Sequence, residues 1–436
     1  MNKKSVLCCV GTFVVTLIVL WLLLIGAATI SNNRIKENMQ KSAMSYGRQE
    51  AFAFCDGNKW NGVADNYADS IWLNIAWYMG KGDPVYATLD TKYYDGEEQG
   101  ENVGLYLAVT EETVEPNIGY TRYWHGTAGI LRVMHLFTDV NGIKRIGLCT
   151  ALFLAMAVAV MLCMDKKVPL ALGFLLSLCA IEVWKIGLSV EYQPSFILCF
   201  VMCILYLWAE KKGDEKLVIL SVAGGVATAF FDFLTTETIA ILVPLILVVA
   251  VRGCDGRLKE WQESWKCLLG CASAWAVSYV GTFLVKWLMA TLVIGENQFF
   301  VAWASVEERV AGSVDEVLPG GAIGKSIFSV LSNLSVFFGA EGRVDGMLAL
   351  VGVVLSAGVA ATVWYLLGKK KRNKAATILL LSLGLVVFVR FIVLANQSYL
   401  HSFFTYRALF SSVLAICMVL VVNCEVPGKQ KRQRKK

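Results

Sequence analysis

Charge is scarce in this sequence. Of 436 residues, only 17% are Asp, Glu, Lys or Arg, against about 25% in a soluble globular chain. Histidine is nearly absent, with three residues, and proline is rare, with seven. So few histidines exclude a metal centre built on imidazoles. No P-loop, GxGxxG, GxSxG or HExxH pattern occurs, and no Cys/His spacing suits zinc, so the usual marks of nucleotide-driven or hydrolytic chemistry are missing. What fills the space is apolar: 56% of the chain is hydrophobic, and the mean hydropathy is +0.58. A soluble enzyme, a disordered chain and a secreted disulfide scaffold are set aside on composition alone. The expected fold is an all-α polytopic membrane protein.

A spanning helix needs roughly 20 mostly apolar residues. The first such run, Ser5 to Ile30, is too long for the core of a cleaved signal peptide and reads as a signal anchor. Further runs fall at 146–164, 168–187, 194–209, 217–234, 238–251, 267–294, 345–367, 375–395 and 405–423. That makes about ten spans. The 194–209 and 238–251 runs are short enough to be half-spans or re-entrant pieces. Basic residues in short loops mark the cytoplasmic side. More than half of the 40 Lys and Arg cluster in alternate turns: Lys3/Lys4, Lys166/Lys167, Lys211/Lys212/Lys216, Arg252 to Lys266, the run Lys369-Lys370-Lys371-Arg372 with Lys374, and the tail KQKRQRKK. The expectation is a multi-pass plasma-membrane protein with both termini in the cytoplasm. The net charge of +6 then belongs to topology and anionic lipid, and no nucleic-acid partner is implied.

The chain divides accordingly. Residues 1–30 are the N-terminus and anchor, and 31–143 a mostly helical extracellular loop domain. Residues 144–294 hold spans two to seven, 295–344 a second extracellular loop, 345–423 spans eight to ten, and 424–436 a basic cytoplasmic tail. Of 13 cysteines, only Cys55 falls in an expected outer loop, so no outer disulfide can form.

Ionisable groups at membrane depth mark functional hypotheses. Four clusters of unusual residues all fall on the expected outer side. The first, Asp65 to Met79, places Asp65 and Asp69 four residues apart, on one face of a helix. Adjacent carboxylates raise one pKa or recruit a cation, although a surface helix with Asp69 as N-cap is the plainer reading. The second, Tyr120 to Phe137, gathers Arg122, Trp124 and His125. Those residues suit a phosphosugar, with cations for the phosphate and a ring for the sugar face, or form an ordinary aromatic belt. The third, AFFDFLTTE, holds Asp232 and Glu237, where a structural pairing of Asp232 with Arg390 or Lys286 is the alternative. The fourth, ANQSYLHSFFTYR, holds His401, Tyr406 and Arg407.

A long loop after the first span, carboxylates early in that loop and many further spans resemble the architecture of GT-C type glycosyltransferases. NYADSIWLNIAWY, YTRYWHG, FFDFLTTE and NQSYLHSFFTYR are also similar to a set of polytopic membrane proteins of Gram-positive bacteria. The GT-C resemblance implies transfer of a sugar from a polyprenyl-phosphate carrier to a glycan or lipid acceptor of the cell envelope. A catalytic Asp in the first outer loop, Asp69 or Asp65, would deprotonate the acceptor hydroxyl. Arg122, His125, His401 and Arg407 would stabilise charge developing on the leaving phosphate. A divalent metal on Asp65, Asp69 or Asp232 would suit oxygen ligands. Membrane lipid is the surrounding partner. A lipid-linked glycan flippase or transporter, a glycan polymerase or ligase, and a non-catalytic membrane protein are the competing classes. Lys286, in mid-span, is the feature that favours transport.

Overall fold

The computed structural model describes residues 3–111, 113–232, 234–258, 261–311, 321–366 and 373–423. The basic tail, the Lys369–Arg372 run and Phe233 lie outside the described residues. The structure is 78% helical, and among the described residues six helices are long and apolar enough to cross a membrane.

Helix α1 (Lys3–Ala28) is followed by a cap. The cap contains α2 (Asn32–Tyr46), the hairpin β1 (Phe52–Phe54) and β2 (Val63–Asp65), α3 (Asn66–Tyr78) and α4 (Pro84–Leu89). It continues with β3 (Lys92–Tyr93), α5 (Glu101–Thr110), β4 (Ile118–Gly119) and α6 (Gly126–Met134). The two antiparallel pairs, β1–β2 and β3–β4, are additions to a region read from sequence as mostly helical. From α7 onward the chain shuttles through the bundle: α7 (Val140–Met164), α8 (Val168–Ala180), α9 (Gln193–Glu210), α10 (Asp214–Phe231), α11 (Ile239–Cys254) and α12 (Trp261–Ile294). Next come α13 (Gln298–Ala311) and α14 (Gly321–Phe337), two helices where the sequence suggested a loop. The chain ends with α15 (Gly346–Leu366), α16 (Lys374–Val393), the short α17 (Ala395–Leu400) and α18 (Ser402–Thr405), and α19 (Phe410–Asn423).

Polar contacts mark the two ends of the bundle. At the end away from the cap, the Asn373 side chain caps α16 by accepting the Ala376 N–H at 3.0 Å and donates to the Gly253 carbonyl, and its backbone N–H donates to Asn423 Oδ1 of α19. Ion pairs join the turns there: Lys167 with Asp255, Arg257 with Glu210, and Arg252 with Asp214 at 2.6 Å. The sequence made α11 a half-span candidate. It has 16 residues, shorter than the six long helices, and is buried on every side from Ile239 to Val251. A helix apolar all round needs such a place. The 168–187 run is not one continuous helix: α8 stops at Ala180, Glu182 adopts φ 51°, and a 3-10 turn follows at Val183–Leu188.

Three cations fasten the cap to the bundle. Arg132 on α6 is fully buried, and its guanidinium donates to the carbonyls of Ala27, Ile30 and Ala76 and to Asn32 Oδ1. Lys286 on α12 donates to the carbonyls of Thr88 (2.7 Å) and Leu89 (2.9 Å), the last residues of α4. It sits 5.5 Å from the Trp124 ring centre. These bonds explain the mid-span lysine as a tether for α4. Lys144 on α7 reaches Asp69 of α3 at 3.3 Å.

Candidate functional site

Asp65 and Asp69 stand at the start of α3 and differ in everything else. Asp65, not Asp69, is the N-cap of α3, accepting from the Ala68 N–H at 2.9 Å. Strand β2 delivers it there, and its own N–H donates to Ser189 Oγ at 2.7 Å. Asp69 lies one turn on and is fully buried. Its oxygens accept from the Tyr46 hydroxyl (2.7 Å) and from the N–H groups of Val190 and Glu191 (3.0 Å each), and Lys144 neutralises it. Asp69 therefore pins the turn before α9 onto α3.

That turn brings in a residue the sequence reading missed. The Glu191 carboxyl is in hydrogen-bonding contact with that of Asp65. Both are almost wholly buried, at 2% and 1% exposure. Burial pushes both well above the usual carboxylate range, Asp65 to about 7; Asp65, Asp69 and Asp232 raise Glu191 further, while the Ala68 N–H and the bond from Glu191 hold Asp65 down. Glu191 Oε2 has no hydrogen-bond partner. The only signal in the sequence was a lone acid before Pro194, just outside an apolar run.

Asp232 continues the row. It ends α10, accepts from the Ser195 hydroxyl, the Thr235 hydroxyl (2.7 Å) and the Thr235 N–H (3.2 Å), and is close enough for its charge to act on Glu191. It pairs with neither Arg390 nor Lys286. Arg390 instead grips Glu237 (Nε to Oε1, 3.0 Å) and donates to the Thr235 carbonyl and Ser398 Oγ. Asp65, Glu191, Asp232 and Glu237 thus form a chain of buried carboxyl groups in which each senses the next.

Beside Glu237 a cleft of about 590 Å³ opens between α12, α13 and α16. Its walls are apolar, built from side chains such as Phe283, Trp287, Val306 and Val389. Its polar end holds Arg122, Glu237 and Arg390. The Arg122 guanidinium lies 4.0 Å above the Tyr120 ring centre, and its buried Nε has no partner among the described residues.

The other sequence candidates take different roles. Trp124 stacks on Phe230 at 5.4 Å and donates to the Thr282 carbonyl, joining α6 to α10 and α12. Its ring packs the core, so it offers no open face to a sugar. His125 adopts φ 55° at the start of α6 and donates from Nε2 to the Tyr120 carbonyl at 2.8 Å. Burial, together with nearby Lys286 and Arg122, drives its pKa down to about 3. It is a neutral ring at physiological pH, not a cation for phosphate. His401 stacks on Phe404 with ring centres 5.3 Å apart. Arg407 is fully buried, donates to the Phe403 carbonyl at 3.2 Å and lies 4.5 Å above Tyr192. Tyr406 is buried beside it. All four sequence clusters meet at the capped end, but they do not line one cavity. The cleft takes Arg122 and Glu237; Asp65 and Asp69 lie under the cap with Glu191.

The donor set does not make a metal cradle. Among the described residues no group of three or more His, Cys, Asp and Glu side chains is arranged to hold an ion, and the oxygens of Asp69 and Asp232 are already engaged.

Fold and site together define an α-helical multi-pass membrane protein with a capped end rich in buried carboxyl groups. No family model matches the sequence, and neither a curated protein nor a solved structure matches it.

Proposed function

We propose that this chain is an integral membrane glycosyltransferase that moves a sugar from a polyprenyl-phosphate carrier to a glycan or lipid acceptor of the cell envelope. The observation that carries the reading is the cleft: an apolar cleft of about 590 Å³ whose polar end holds Arg122, Glu237 and Arg390. Such a cleft suits part of an isoprenoid chain, and its polar end suits the phosphate. In this reading about ten helices cross the plasma membrane, the basic turns face the cytoplasm, and the cap faces outward.

The chemistry follows from the groups present. A carboxylate takes the proton of the acceptor hydroxyl, the oxygen attacks the anomeric carbon, and the bond from that carbon to the phosphate oxygen breaks. The carrier leaves as its phosphate, with the electron pair stabilised by Arg122. Of the two acids named from the sequence, Asp65 is the better base, because Asp69 has no oxygen to spare. Asp65 lies under the cap and not in the cleft, so in this reading the acceptor enters beneath the cap, and the row Glu191, Asp232 and Glu237 joins the base to the cleft. Asp69 holds the turn that places Glu191.

Purified protein in lipid vesicles, supplied with polyprenyl-phosphate sugars and envelope acceptors, tests the proposal through release of the free carrier phosphate. Arg122→Ala is expected to reduce release by about 10²–10³-fold, with Asp65→Asn at least as damaging. Full activity in both folded variants would sink the reading. Translocation of the lipid without carrier release would favour a flippase.

A further inference from the structure

The Asp65–Glu191 contact is built, not incidental. Asp69 accepts the N–H of Glu191 and that of the preceding Val190, so the backbone of this turn is fixed from α3. Ser189 accepts the Asp65 N–H, fixing the other side. The Tyr192 hydroxyl donates to the Val63 carbonyl at 3.0 Å, closing the turn onto β2. The backbones that carry the two carboxyls are therefore held together, and the Asp65 carboxyl is itself held by the Ala68 N–H.

The charges around the pair are unbalanced. Facing it are Asp69 and Tyr46, Lys144 from α7, Tyr192, Asp232 from the turn after α10, and Arg407 beyond the Tyr192 ring. Lys144 is committed to Asp69. Two carboxylates in contact with no cation of their own cannot both stay ionised in a dry interior.

We propose that Asp65 and Glu191 act as one dyad holding a single proton between them, with Glu191 Oε2 as the position that receives an incoming hydroxyl group. Glu191 becomes the second acid–base residue of the site. This rests on the glycosyl-transfer reading for the identity of the hydroxyl, which is a sugar or lipid alcohol. The proton-holding itself does not. In the reaction the ionised member takes the acceptor proton, giving a doubly protonated pair. One proton then leaves to solvent and restores the starting state.

The test is infrared titration of the full chain in lipid nanodiscs, following the absorption of protonated carboxyl groups as pH rises. In the wild type the dyad proton is released late, because its loss creates two adjacent charges. Asp65→Asn and Glu191→Gln each remove that repulsion while keeping shape and hydrogen bonding. Each is expected to move the release to lower pH by about one unit or more. An unchanged release pH in either folded variant overturns the dyad, and either variant alone is decisive. The two proposals separate cleanly. A shifted release with no carrier release by the wild type ends the transfer reading and leaves the dyad standing. An unchanged release in an active enzyme does the reverse.

Discussion

Asp65 and Asp69 show how little spacing says about roles. Their four-residue separation suggested one helix face, but only Asp69 lies in α3; Asp65 ends β2 and caps the helix. Which one capped the helix depended on the entry of β2, and what engaged Asp69 depended on a turn more than 120 residues away. Glu191 was illegible for the same reason, since nothing local marks it. Two outcomes follow at this scale. Asp69→Ala leaves Lys144 without its partner and three donors without an acceptor, and should lower stability by about 3–5 kcal/mol, read by thermal unfolding in detergent. Asp65 behaves oppositely. Its folded pKa is raised, so the folded state binds a proton that the unfolded chain releases. That stabilisation is complete below about pH 4 and is lost as pH rises through about 7. Wild-type thermal stability should therefore fall across this window, and Asp65→Asn should flatten the decline.

Helices were the most legible elements, because the six long apolar helices coincide with apolar runs of the sequence. The exceptions have physical causes. The break after α8 has no proline or glycine to announce it; Glu182 in a left-handed conformation makes it. The strands of the cap are two or three residues long, too short for any alternation to register. Packing between elements was not legible at all. Gly126 begins α6 against α10, and a Cβ there would press on the Phe230 ring and stand 2.7 Å from the Phe230 carbonyl oxygen. The backbone oxygen cannot yield as a side chain can. Gly126→Val should cost about 1–3 kcal/mol by overpacking and shift the cap against the bundle, seen as faster proteolysis within residues 31–143.

The alternation of basic turns gave the bundle its expected direction, and one residue can check it in the whole molecule. Cys55 lies in the cap and is exposed. In intact cells a membrane-impermeant thiol reagent should label wild-type protein, and Cys55→Ser should lose that label. Equal labelling of both would place the cap on the other side. The composition revealed the membrane class and the four clusters. Their assembly at one end became visible only in three dimensions, where Arg390 meets Glu237 across 153 residues and Asp69 meets the turn before α9.

Connections between the cap hairpin and the last helices set a clock. Trp60 donates to Ser402 Oγ, a partner 342 residues later in the chain, and Phe52 rests against Phe403. The ribosome adds about 5–20 residues per second, so the hairpin of the cap waits about 20–70 s for its partners to be made. During that interval its aromatic side chains are without their final neighbours. The first loop of the nascent protein therefore finishes last, and biogenesis must protect it until the final helices enter the membrane. A chain truncated before Ser402 should insert its earlier helices yet keep a protease-sensitive hairpin.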